Sequence, residues 1–115
     1  MDNLYMIDLV EEFTDTKSAT KRLQYEIATA RSQGAHVLKV KHGSASDDTW
    51  GKLARAARAL AKRYKREEKV RFFVLGESFC ESDAASQYLV DKYPAIAELN
   101  EAWGKEDDSY MILCL

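Results

Sequence analysis

A chain of 115 residues, 46 % hydrophobic and 31 % charged, is long enough to bury one core and too apolar to be disordered. No run approaches the ~18 consecutive apolar residues of a membrane-spanning helix, so no membrane partner is expected. The net charge of −2 is close to neutral, and the two cysteines, Cys80 and Cys114, form no CxxC pair. That excludes a disulfide framework and a zinc site of the usual spacing, and favours a reduced, cytoplasmic setting.

The N-terminal MDNLYMIDLVEE has no basic run ahead of its apolar residues, so no signal peptide is expected. Leu4–Leu9 (LYMIDL) is short, apolar and aromatic, as a buried strand is. Asp15 is placed to cap a helix over Thr16–Ser32, which turns Ala19, Leu23, Ile27 and Ala30 inward and stops at Gly34. Ala35–Lys41 (AHVLKVK) reads as a second strand, so the first three elements predict a parallel crossover.

After a loop over His42–Thr49 comes a second helix. Its inward stripe is Trp50, Leu53, Ala57, Leu60, Ala61 and Tyr64; Lys52, Arg55, Arg58, Lys62 and Arg66 form a basic stripe on the other side. Val70–Leu75 (VRFFVL) is a third strand, broken by Gly76. A third helix is predicted over Asp83–Tyr93, with Ala84, Tyr88 and Leu89 inward, interrupted by Pro94. A further helical turn is read at Ala95–Trp103, and Tyr110–Leu115 (YMILCL) closes the domain as a strand. The order β-α-β-α-β-(α)-β predicts a single α/β domain, a two-layer sandwich with a mixed four-stranded sheet.

The near-neutral charge is made of blocks. Residues 52–71 hold nine Lys/Arg against two Asp/Glu, and residues 72–115 hold two against nine. The basic block suits an acidic partner, unless the acidic segment that includes Glu98, Glu101 and Glu106–Asp108 folds across it. Between strand and helix, His42 has two readings. At the C-terminal end of a parallel strand it can face a ligand, or its imidazole can tie down its own loop through a backbone hydrogen bond. Asp47 and Asp48 stand where a phosphate would sit, and suit helix capping better than anion binding. His36, at the other end of the strand, reads as a surface residue, and Cys114 as buried and inert. No metal ligand set and no cofactor motif are found.

Three segments in this order, VLKVKHG at Val37–Gly43, GKLARAARAL at Gly51–Leu60 and VRFFVLGESF at Val70–Phe79, followed by YMILCL, resemble the Smr (small MutS-related) domain, most closely its stand-alone forms. The resemblance covers roughly Leu4 to Leu115 and implies the Smr fold and a link to nucleic acid. Two motifs mark the family's active members, a first-strand Leu-Asp-Leu-His-Gly and a second-strand His-Gly-x-Gly. The first falls on Ile7, Asp8, Leu9, Val10 and Glu11, so the aspartate is present while valine and glutamate replace histidine and glycine. The second falls on His42, Gly43, Ser44 and Ala45, with its second glycine lost.

Valine neither transfers a proton nor binds a metal, so loss of the motif histidine removes the roughly 10²–10⁴-fold of one general acid or base. The expectation is therefore a non-catalytic or weakly active module that binds DNA or RNA backbone through His42, Gly43, Ser44, Lys52, Arg55, Arg58, Lys62 and Arg66. One alternative is a nicking endonuclease that keeps Asp8 and His42 as its catalytic residues. Another is a protein-interaction or homo-oligomeric scaffold.

Overall fold

The computed structural model describes residues 4–12, 16–44, 51–80, 82–93 and 109–115. The elements are β1 (Leu4–Asp8), α1 (Leu9–Glu12), α2 (Thr16–Ser32), β2 (Val37–Lys41), α3 (Gly51–Arg66), β3 (Phe72–Leu75), a 3-10 turn (Gly76–Ser78), α4 (Ala84–Lys92) and β4 (Tyr110–Cys114). The sheet order is β1-β2-β4-β3. β1 and β2 are parallel, and β4 runs antiparallel to both β2 and β3. The first three strands therefore all point the same way, and their C-terminal ends line one edge of the sheet. The expected α/β architecture with its mixed four-stranded sheet is the one observed.

The predicted inner faces of the two long helices are the real ones. Ala19, Leu23, Ile27 and Ala30 of α2 are buried, as are Leu53, Ala57, Leu60, Ala61 and Tyr64 of α3. Together with Leu38, Val40, Met111 and Leu113 from the strands they build the main core, against which Ile7, Phe73 and Leu75 pack. Each large aliphatic side chain buried here contributes about 1.5–3 kcal/mol, which holds both helices to one sheet face. The other face carries a smaller core of Val37, Val74, Tyr110, Ile112 and Cys114, closed by Phe79 and by Leu89 of α4. β4 is covered on both faces and paired on both edges, which explains its unbroken apolar run YMILC, buried at every position. Burial also pushes the Cys114 thiol up, away from its reactive thiolate form.

Both long helices end in the same backbone device. At the end of α2, Gly34 has φ +79°, its N–H bonds to Arg31 O (3.1 Å), and Ala35 N–H reaches Ala30 O (2.9 Å). These two bonds absorb carbonyls that the helix leaves open. α3 repeats the pattern with Glu68 N–H to Lys65 O (3.1 Å) and Lys69 N–H to Tyr64 O (2.8 Å). The left-handed position there is Glu68, at φ +62°, where a side chain costs about 1–2 kcal/mol in backbone strain, part of which glycine would give back through its larger unfolded-state entropy.

Several boundaries differ from expectation. β1 stops at Asp8 rather than Leu9, because Asp8 Oδ1 accepts the Val10 N–H (3.0 Å) and turns the chain into α1. β2 and β3 each start two residues late. On α4, Ala84 and Tyr88 were expected inward, yet both are exposed, Tyr88 at 44 %. Asp83 caps the helix by accepting from Ser86 N–H (2.9 Å), and the Ser86 hydroxyl reaches Ser78 O (3.0 Å). Those bonds turn Ser86 inward beside Leu89, which is buried as expected. His36 is exposed as expected and stacks on Tyr93, ring centroids 5.7 Å apart. The caps read for Asp15, Asp47 and Asp48, the inward Trp50 and the turn at 95–103 lie outside the described residues.

Candidate functional site

The C-terminal ends of β1, β2 and β3 bring Asp8, His42 and Glu77 to one end of the sheet. His42 follows β2 directly, and its ring has no exposed surface. The backbone explains its position: the N–H groups of His42 and Gly43 both donate to Ser109 O, at 2.9 and 3.0 Å, just ahead of β4. Gly43 makes the turn at φ +83°, a conformation that side chains rarely adopt.

The ring's hydrogen bonds assign its tautomer. His42 Nδ1 lies 2.7 Å from Gly43 O. A carbonyl oxygen only accepts, so the proton is on Nδ1 and Nε2 is the acceptor. Arg58 of α3 donates its Nε–H to that Nε2 (3.3 Å). The other end of the same guanidinium grips Glu77, with Nη1 to Oε2 at 2.8 Å and Nη2 to Oε1 at 2.7 Å. This is a two-pronged, charge-assisted pair. The Arg58 side chain is 14 % exposed and that of Glu77 37 %. The hydrogen bonds from Arg58 hold the Glu77 carboxyl below the usual carboxylate range, against a smaller push upward from burial. The chain of contacts runs from Gly43 through His42 and Arg58 to Glu77, and so ties the end of β2 to α3 and to the turn after β3. Both ring nitrogens are engaged.

Asp8 does not join this group. It pairs in register with Lys41, so the two share a sheet face. Strand alternation sends the next residue, His42, to the opposite face under α3. Asp8 Oδ1 holds the start of α1, and Oδ2 lies 3.8 Å from Lys41 Nζ. Met6, Ile7, Asp8, Lys39 and Lys41 line a shallow concavity of about 190 Å³ there. Asp8 and His42, the two catalytic residues of the endonuclease alternative, thus lie on opposite faces of the sheet.

The basic stripe is also divided. Lys52, Arg55, Lys62 and Arg66 lie exposed on the outer side of α3. At about 100° of rotation per residue, Arg58 falls on the flank of that arc rather than within it. It turns into the edge cluster and, paired with Glu77, is withdrawn from the binding set. Lys52, Lys62 and Arg66 pair with no carboxylate among the described residues. Arg63 and Lys69 flank the Tyr64 ring, at 5.5 and 4.8 Å from its centroid, and both approach Glu67. Of the expected loop residues, Gly43 is buried and Ser44 half-buried.

Two features of the site were not anticipated. Glu77 was visible as the first acid after the basic block, but nothing local marks it as the partner of a residue 19 positions earlier. The second is α2, which packs beside α3 and adds exposed Lys17, Lys21, Arg22 and Arg31 to the same layer. α2 and α3 together carry eleven Lys/Arg against one acid, Glu26, which pairs with Arg22 at 2.9 Å. The segment holding Glu98, Glu101 and Glu106–Asp108 lies outside the described residues. Among the described residues no three His, Cys, Asp or Glu side chains are grouped to hold a metal ion, and no helix is long and apolar enough to cross a membrane.

No known protein family matches the chain, and neither a curated protein nor a solved structure matches it.

Proposed function

We propose that this is a degenerate Smr-like domain and a non-catalytic binding module for nucleic-acid phosphates, acting in the cytoplasm through the outer surface of α2 and α3. The observation that carries the reading is the concentration of exposed cations on this one layer of a molecule whose net charge is −2. From Lys52 to Arg66 the stripe on α3 runs about 21 Å at 1.5 Å per residue, the rise of about six nucleotides of one strand in a duplex. Cations so arranged displace the counterions of a polyanion, which gives affinity without sequence preference. His42, buried and with both nitrogens engaged, supports a structural role rather than proton transfer.

The test is fluorescence anisotropy with labelled DNA and RNA over a series of salt concentrations. Affinity falls linearly on a log–log plot, by about 0.9 per phosphate neutralised on duplex DNA. The double variant Lys62→Glu, Arg66→Glu weakens binding and flattens that slope by about two. Binding that is absent at low salt sinks the proposal. Cleavage of plasmid or RNA that disappears in His42→Ala replaces it with the endonuclease reading.

A further inference from the structure

We infer that Tyr25, on the outer face of α2, is a base-stacking platform, and that the ligand of the helix layer is single-stranded nucleic acid. The inference rests on the phosphate-binding reading above and narrows it. Among the described residues the exposed large hydrophobic side chains are Tyr5, Met6, Tyr25 and Tyr88, and of these only Tyr25 lies on α2 or α3. The residue is 62 % exposed.

The helix period explains why it stands out. Ala19, Leu23, Ile27 and Ala30 take the inner side of α2, which leaves Lys21, Tyr25, Ala28 and Ser32 in line on the outer side. Ala28, one turn beyond, is small and does not cover the ring. The Arg22 guanidinium lies 5.7 Å from the ring centroid and is steadied by Glu26 at 2.9 Å. A largely exposed ring with a held guanidinium over one side, set among lysines, has the two parts that single-strand binders combine: a flat surface for a base and cations for the backbone. A duplex keeps its base faces stacked inside and offers this ring only sugar and phosphate. A single strand offers the bases themselves, and every base has a face to stack whatever its identity.

The experiment compares a labelled 20-nucleotide single strand, the matching 20-base-pair duplex and heparin, a polyanion without bases, on the wild type, Tyr25→Ala, Tyr25→Phe and the double variant Lys62→Glu, Arg66→Glu. Circular dichroism checks that each variant is folded. The wild type is expected to prefer the single strand. Tyr25→Ala should lose about tenfold in single-strand affinity. Its duplex and heparin affinities, and its salt slope, should stay unchanged, and Tyr25→Phe should behave as wild type. The lysine–arginine double variant should weaken all three ligands. If Tyr25→Ala binds the single strand within twofold of wild type while duplex binding persists, the stacking inference falls and the phosphate-binding reading stands. If no polyanion binds the wild type, both fall.

Discussion

Replacing Glu77 by glutamine tests whether the Arg58 pair locks the edge of the sheet. The change keeps the shape and one acceptor, and removes the charge and the second acceptor for the guanidinium. Hydrogen bonds to charged groups contribute about 1.5–3 kcal/mol net. Glu77 is 37 % exposed, so water already screens part of the attraction and the lower end applies. Arg58, only 14 % exposed, is left with its charge less well compensated. A loss of about 2 kcal/mol follows. For 115 residues the entropy of unfolding is about 0.24 kcal/mol per K, so the melting temperature should fall by about 8 °C at pH 7. The pH dependence has a definite sign. The folded-state pKa of Glu77 lies below its unfolded value, near 4.5, so its contribution is complete above the unfolded value. It begins to fall below that unfolded value and is lost as pH drops through the lower folded one. Thermal melts followed by circular dichroism from pH 7 to pH 3 should show the gap between wild type and Glu77→Gln closing toward the acid end. A gap under 2 °C at pH 7, or one that persists unchanged in acid, refutes the lock.

Two further substitutions probe the same architecture. His42→Ala empties a fully buried site and orphans both Gly43 O and the Arg58 Nε–H, so it should cost about 3–4 kcal/mol in urea unfolding. Its salt-dependent phosphate affinity should match wild type wherever the variant is folded, and the reverse pattern would make His42 part of a binding or catalytic site. Glu68→Gly relieves a left-handed position and should raise stability by about 0.5–1 kcal/mol, or roughly 2–4 °C. A lower melting temperature would show that Glu68 makes contacts that outweigh its backbone strain.

Much of the fold was legible because the apolar period of each long helix agrees with its burial. Leu23 and Ile27, or Leu53, Leu60 and Tyr64, leave little choice of inner face, and Gly34 marks its helix end plainly. The site was harder to read because its decisive contacts are not periodic. Arg58 sits only a little outside the arc of Arg55 and Lys62, and the return of the chain to Glu77 completes its separation from them. The partition of Asp8 from His42 follows from strand register, which puts Asp8 level with Lys41 and so fixes its side one residue before the histidine. α4 misled because it is short and weakly amphipathic, and the Ser86 hydrogen bonds set its rotation. The cations of α2 were hidden in an averaged charge, since acids elsewhere in the first 51 residues cancel them.

The position of β4 between β2 and β3 bears on how the domain is made. During synthesis the chain emerges from the ribosome with its first three strands complete, but β3 has no neighbour among the described strands until residues 110–114 arrive. Until then β2 and β3 present open edges that invite pairing with other chains. The sheet thus completes itself only after translation has passed β4, and a chain stopped short of Tyr110 is a candidate for chaperone capture rather than a smaller version of the same fold.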